Sequence, residues 1–362
     1  MSAAALCFAV LTVSSGCGGP AASDADGFTS GDGPSNRGDG GDVAPGSDAG
    51  GNNSGDGAVT PIACNNGCAA TALCIDNICR CLPGFSGDGG TCTRDTPPSN
   101  LEQRAATDVC ARWSAGHMTT ATSQFTPGTN GTCDPGVIAP KAVYDAALRW
   151  SMYRWLVGLP AVSVDHSRDA DMQQCALVLG YAFRHDPPPD TMCYTAGGAD
   201  AASRSMICGG QDAAACMDAY TLESYATDSH LSHRKIVVGT TRDNVAFGVS
   251  TGGSCALYGY ATDTLPTPPP VVMVPNPGPT PINLTTSTWS IHPTGNTPLP
   301  IADTMVFDET AGQSVMVSQN LKYAGINGFD IQQQITVNHT YHVVLTDGTT
   351  TVEYRTTPVM CP

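Results

Sequence analysis

The apolar positions of this chain change period along its length, and the change marks out its parts. From Pro140 they recur at helical spacing. "PKAVYDAALRWSMYRWLVGLP" opens with proline in the first turn and closes at Gly158 and Pro160. Tyr144, Leu148, Ser151 and Trp155 mark one face of this helix, flanked by Ala147, Met152 and Leu156. "VDHSRDADMQQCALVLGYAFRHDPPP" predicts a second helix with a stripe of Met172, Cys175, Ala176, Leu179 and Phe183, stopped by the prolines. A third helix is expected over about 213–235. The period then drops to two: "NVAFGVS" and "CALYGYATD" alternate across a "TGG" turn, an antiparallel hairpin with Phe247 and Val249 in the core. "PTPPPVVMVPNPGPTP" reads as a stiff, extended linker. Beyond it "STWSIHP", "TMVFDE", "SVMVSQNLKY", "FDIQQQITV" and "YHVVLTDGTTTVEYRT" predict short strands, the last a hairpin over Asp347-Gly348. Residues 283–362 therefore read as a small all-β, sandwich-like domain after a linker over 263–282. The stretch 97–135 has no clear pattern, and its Cys110 and Cys133 could pair locally.

No such period exists before residue 60. Ala3 to Val13 is apolar but too short to span a bilayer, as in the core of a signal peptide, and it runs into "SSGC". This start resembles a bacterial lipoprotein signal, which implies a signal peptide over 1–16, cleavage before Cys17 and a lipid on its thiol. Gly18, not aspartate, follows Cys17, and in enteric bacteria that implies export to the outer membrane. Residues 17–60 are Gly, Ser, Asp, Asn and Ala with little to bury and read as a disordered tether. The expected location is extracytoplasmic, lipid-anchored, at the outer membrane or cell surface.

Charge and cysteine content narrow the partners. With 16 Lys+Arg against 32 Asp+Glu, the net charge of −16 argues against nucleic acid. Sixteen cysteines without a C-x-x-C pair point to disulfides in an oxidising compartment. Six of them, Cys64, Cys68, Cys74, Cys79, Cys81 and Cys92, crowd a segment too short to fold without cross-links. "CRCLPGFSGDGGTC" in this setting resembles an EGF-like module over 61–95, and the resemblance selects the pairs Cys64–Cys74, Cys68–Cys79 and Cys81–Cys92. "TPIA" precedes Cys64 where the calcium-binding subtype has an acidic cluster, so no calcium is expected. Eight further cysteines remain for bridges, with 105 possible pairings.

The middle segment carries the candidate chemistry. "YRWLVGLPAVSVD", "RHDPPPDTMCYTAGGADAASRS" and "SHRKIVVGTTRDNVAFGVS" occur in an order and spacing similar to the bacterial branch of the CAP superfamily, which includes cysteine-rich secretory proteins, antigen 5 and plant pathogenesis-related proteins. The likeness covers 137–262 and implies an α-β-α sandwich. It also implies a cleft with two histidines and two acids able to hold a divalent metal, zinc suiting the imidazoles. Carried over, these are His185, His233, Asp200 and Glu223. His230 has no counterpart, and the His-x-x-His spacing with His233 is read as accidental. Arg234 is expected to pair with a carboxylate, Trp150 and Trp155 to be core, and His166 to be exposed. No Gly-x-Ser-x-Gly or His-Glu-x-x-His motif occurs. The resulting expectation is a multidomain surface lipoprotein that binds an extracellular protein, glycan or lipid without catalysis. Its alternatives are a metal-dependent, peptidase-like hydrolase using His185, His233 and an acid, and a cleft for lipid or sterol.

Overall fold

Residues 64–92 are too few to bury a core of their own, and they fold around sulfur. The computed structural model describes residues 62–223, 231–239, 243–259, 269–285, 288–294, 299, 303–323 and 326–362. Cys64–Cys74, Cys68–Cys79 and Cys81–Cys92 are bridged. They staple two hairpins, β1 (Ala72–Ile75) with β2 (Ile78–Cys81) and β3 (Phe85–Gly87) with β4 (Cys92–Arg94). Asp76 and Asn77, at φ 52° and 63°, make the two-residue turn of the first. The signal, Cys17 and tether of the sequence reading, and His230, lie outside the described residues.

These hairpins are not a separate bead. Leu73, Ile75 and Leu82 are buried in the same core as Val143, Trp150 and Val164. Such side chains contribute roughly 1.5–3 kcal/mol each when fully buried. Lys141 pairs with Asp76 at 3.0 Å and Arg94 with Asp243 at 2.7 Å. Gly84 (φ 85°) lies so close to Ala161 that a Cβ there would meet Ala161 Cβ at 2.4 Å.

The patternless stretch contains α1 (Ala106–Gly116), whose buried Val109, Trp113 and Gly116 follow helical spacing. A two-residue ribbon, β5 (Phe125–Thr126) with β6 (Val137–Ile138), leads into α2 (Pro140–Leu156), which starts on proline as expected. The face of α2 is the expected one only in part. Ser151, Ala147, Met152 and Leu156 are buried as expected, Ala142, Val143, Ala146, Trp150 and Tyr153 are buried beside them, and Tyr144, Leu148 and Trp155 are half-buried. Trp155 instead carries the Arg104 and Arg112 guanidinium groups over its ring, at 4.7 and 5.7 Å.

The central sheet has the order β7-β9-β10-β8, from β7 (Ser163–Val164), β8 (Ser205–Cys208), β9 (Asn244–Ser250) and β10 (Gly253–Gly259); only β7 and β9 run parallel. Helices cover both faces. Between β7 and β8 come α3 (Asp169–Val178) and α4 (Ala196–Ser203), and after β8 come α5 (Ala213–Leu222) and α6 (Ser232–Val237). Ala246, Cys255 and Leu257 pack with Met172, Ala176 and Ala202 of α3 and α4. Val245, Phe247, Val249 and Ala256 point the other way, into the core with Trp150 of α2 and Met217 of α5. Two expected helices change. α3 ends at Val178 and Phe183 is exposed, because Gly180 comes against Gly252 of the β9–β10 turn and the chain leaves the helix line. The helix expected over 213–235 is broken: Glu223 is left-handed at φ 44° and closes α5, and Leu231 at φ 47° precedes α6.

The proline-rich stretch read as a linker supplies two strands. β11 (Val271–Val274) pairs with β13 (Thr288–Pro293), and β12 (Gly278–Pro281) runs parallel to β19 (Thr351–Val359). Both are edge strands, where a proline's missing N–H costs no ladder bond on the open side. With β14 (Asp303–Asp308), β15 (Gln313–Val315), β16 (Val317–Tyr323), β17 (Ile326–Ile331) and β18 (Tyr341–Thr346) they form two sheets, β11-β13-β17-β16 and β12-β19-β18-β14-β15. Trp289, Ile291 and Phe329 of one sheet pack on Val306, Val343 and Tyr354 of the other. Val272, Val274 and Leu284 belong to the central core instead. Gly278 (φ 73°) lies against Leu101, whose carbonyl oxygen would stand 2.4 Å from a Cβ there.

The described residues thus belong to one compact unit, Val59–Pro362, of mixed α/β character with several small sheets. The remaining bridges are Cys110–Cys361, Cys133–Cys193, Cys175–Cys255 and Cys208–Cys216. Cys110 and Cys133 do not pair locally. Cys110 faces the C-terminal segment, where Ser114 Oγ also donates to Pro362 O at 3.0 Å.

Candidate functional site

Two of the four expected ligands meet where α5 breaks. The left-handed turn at Glu223 folds its carboxylate back under the first turn of α6. There Oε1 accepts the His233 backbone N–H at 3.1 Å and the ring Nδ1–H at 3.1 Å. The Glu223 side chain is 3% exposed, and its Oε2 is buried without a hydrogen bond. The His233 ring lies 5.1 Å from that of Tyr220. A carboxylate on Nδ1 fixes the imidazole tautomer and leaves Nε2 as the basic nitrogen of a one-third exposed side chain.

The other two lie elsewhere. His185 is exposed, and its Nδ1–H donates to Ala202 O at 3.1 Å. Asp200, on α4, is paired with Arg204 one turn along. Asp200 belongs to α4 and His185 bonds to Ala202 of α4, which packs with α3 on one face of the central sheet. Glu223 caps α5 and His233 belongs to α6, and α5 and α6 pack with α2 on the other. Ligands of one zinc ion must all come within about 2.0–2.3 Å of it, so a metal site of His185, His233, Asp200 and Glu223 is not assembled. Among the described residues, Cys64, Cys68 and Cys79 are the group whose ligand atoms do lie close together. Their sulfurs are consumed in Cys64–Cys74 and Cys68–Cys79, so no thiolate is present to bind a metal.

A second polar cluster was not singled out from the sequence. Asp218 of α5 accepts Tyr153 Oη–H at 2.7 Å on Oδ1 and the Arg149 guanidinium on Oδ2, and His117 Nε2 stands 3.6 Å from Oδ1. His117 is the C-cap of α1, and its Nδ1–H donates to Trp113 O at 2.8 Å. Burial alone would raise the Asp218 carboxyl; the His117 hydrogen bond and the Arg149 charge outweigh it and hold the group below the ordinary carboxylate range. Burial, followed by the Asp218 charge, pushes the Tyr153 hydroxyl well up. With both carboxylate oxygens occupied, the cluster ties three helices together and offers no free reactive group. Its sequence signal was Arg149 and Tyr153 at i, i+4 inside an otherwise apolar helix. A depressed carboxyl contributes stability above its unfolded pKa, about 4, and that contribution is lost as pH falls through its folded value. Urea midpoints recorded from pH 6 to pH 2 should therefore fall less steeply in Asp218→Asn than in the parent chain. Parallel curves would remove this role from Asp218.

Among the described residues, Arg234 pairs directly with no carboxylate. It is 3% exposed and donates to Thr221 O (2.6 Å), Leu222 O (3.0 Å), Thr288 O (2.8 Å) and Ser290 Oγ (3.1 Å). One guanidinium thus joins the end of α5 to β13. Ser290 Oγ in turn meets His292 Nε2 at 2.8 Å, and burial, then the Arg234 and Lys235 charges, pushes that imidazole down to about 3. His166, at a helix start, is exposed and bonded to Asp169, whose hydrogen bond raises its pKa.

No known protein family, no curated protein and no solved structure matches the chain.

Proposed function

We propose that this chain is an extracytoplasmic, lipid-anchored binding protein built on a CAP-like framework, with an EGF-like module and a β-sandwich fused to it, and that it acts without catalysis at the outer membrane or cell surface. The observation that carries the reading is the central sheet standing between His185 and Asp200 on one face and Glu223 and His233 on the other. A metal-dependent hydrolase needs those groups around one ion. The bridges support an oxidising compartment, the sequence at Cys17 supports the anchor, and the net charge of −16 turns away nucleic acid. Its partner is then an extracellular protein, glycan or lipid. The second reading, a hydrolase, is favoured by the Glu223–His233 dyad and its basic Nε2.

One preparation tests both readings. The full chain is expressed with its own leader beside Cys17→Ser, His185→Ala and His233→Ala, fractionated, and assayed for zinc per chain. The parent should sediment with membranes and Cys17→Ser should be soluble, and zinc content should not differ between the parent and either histidine variant. About one zinc per chain, lost in both histidine variants with the fold intact, would replace this reading with the hydrolase. Cys17→Ser remaining membrane-bound would sink the anchor.

A further inference from the structure

Between the stapled hairpins and the central sheet lies a cleft of about 500 Å³. That is within the roughly 300–1,000 Å³ typical of clefts that bury a small ligand. One wall comes from the hairpins: Thr71, Phe85, Cys92 and Arg94. The other is the open edge of the sheet: Ser163, Val164, Asp165 and Asn244.

The chemistry of that edge defines what fits. β7 is an outer strand, and its ladder to β9 uses alternate residues: Ser163 N–H donates to Asp243 O at 2.7 Å and Asp165 N–H to Val245 O at 2.7 Å. Successive residues of a strand direct their backbone groups to opposite sides. The N–H and C=O of Val164 therefore point away from β9, into the cleft, while its side chain is buried in the core. Backbone groups aimed into such a cleft are a template for one more strand. The facing wall is held by the Cys81–Cys92 bridge, and Arg94 is pinned to Asp243 at 2.7 Å with its guanidinium 5.2 Å over the Phe85 ring. It leaves a half-buried aromatic edge for an apolar side chain. On the rim, Asp165 uses only Oδ1, accepting the Ser167 backbone N–H and Oγ–H at 3.0 and 2.6 Å. Among the described residues Oδ2 has no hydrogen-bond partner, which leaves a carboxylate oxygen on the rim of a chain whose net charge is −16.

We infer that this cleft binds a short extended peptide by strand addition to Val164, with a basic side chain of the peptide placed on Asp165. The inference deepens the binding-protein reading and rests on it; it names the site and the partner's chemistry, an extended, positively charged segment of another polypeptide.

The probes are acetyl-Thr-Lys-Val-Thr-amide and its Glu-for-Lys counterpart, titrated into the secreted Cys17→Ser chain and followed through the Val164 amide resonance and by calorimetry. The Lys peptide should shift the Val164 amide and bind more tightly than the Glu peptide. Val164→Pro removes the outward N–H but leaves the inward ladder bonds of Ser163 and Asp165; one lost hydrogen bond should weaken binding roughly three- to tenfold. Asp165→Asn keeps the Oδ1 acceptor of the cap and should abolish the preference for Lys over Glu. Asp165→Asn should keep the parent's melting temperature to within a few degrees, whereas Val164→Pro also loses a buried valine side chain and should melt lower, so its binding is measured at a temperature where its amide spectrum shows it folded. No saturable shift at Val164 with either peptide, or equal affinity in Val164→Pro, would overturn the proposal. So would a Lys preference that survives Asp165→Asn. Zinc content and membrane release do not depend on Val164, so a failure here is distinguishable from a failure of the broader reading.

Discussion

Replacing Arg234 with methionine should cost about 3–5 kcal/mol of stability and lower the melting temperature by roughly 6–15 °C. The reason is the set of groups it would leave behind. Thr221 O and Leu222 O close α5, Thr288 O and Ser290 Oγ belong to β13, and all four accept from this one side chain. Burial pushes the guanidinium down to about 10, so it stays charged at neutral pH. Methionine fills similar space and satisfies none of the acceptors, each worth about 1–3 kcal/mol when buried and unpaired. Lysine should recover only part of the loss, because a compact ammonium cannot span acceptors on two elements as a planar fork does. Differential scanning calorimetry checks this. A loss below about 1 kcal/mol in Arg234→Met would mean that water reaches those carbonyls and the strut is dispensable.

The second large effect is expected at the Cys110–Cys361 bridge. It closes a loop with a sequence separation of 251, the kind of closure that most restricts the unfolded chain. Three shorter bridges lie inside the loop, so the unbridged ensemble is already constrained and the full chain-entropy figure does not apply. Cys110→Ser with Cys361→Ser should cost about 2–5 kcal/mol, read as a lower guanidinium midpoint. It should also expose the C-terminal end of β19 to amide exchange before the central sheet. An unchanged midpoint would show that α1 and the last residues are held by Ser114 and the packing of β12 alone.

The readable parts of this fold were those fixed by local chemistry. Pro140 announced α2, the Asp347-Gly348 turn announced the last hairpin, and the spacing of Cys64 to Cys92 fits the bridges seen there. What escaped depended on neighbours far along the chain. Glu223 adopts a left-handed conformation without the glycine that usually marks one, because its carboxylate is held by His233. The prolines of β12 look like a linker until β19 is available to pair with. The four candidate ligands lie apart for a related reason. Val245, Ala246, Phe247 and Val249 are buried on both faces of β9, so the sheet is an inner layer and sequence order does not say which face a flanking helix takes. His185 and His233 fall on opposite ones. The Asp218 cluster was within reach: Arg149 and Tyr153 one turn apart in a core helix are polar groups that need a buried partner.

The bridge from α1 to the last residues also turns most of the chain into a covalent ring. A protease that cuts once anywhere between residues 111 and 360 opens the ring but frees no fragment, since each of the two pieces keeps one end of Cys110–Cys361. Parting the two packed C-terminal sheets from the rest of the chain then takes two cuts within the ring or a reductant, whatever holds the N-terminal end.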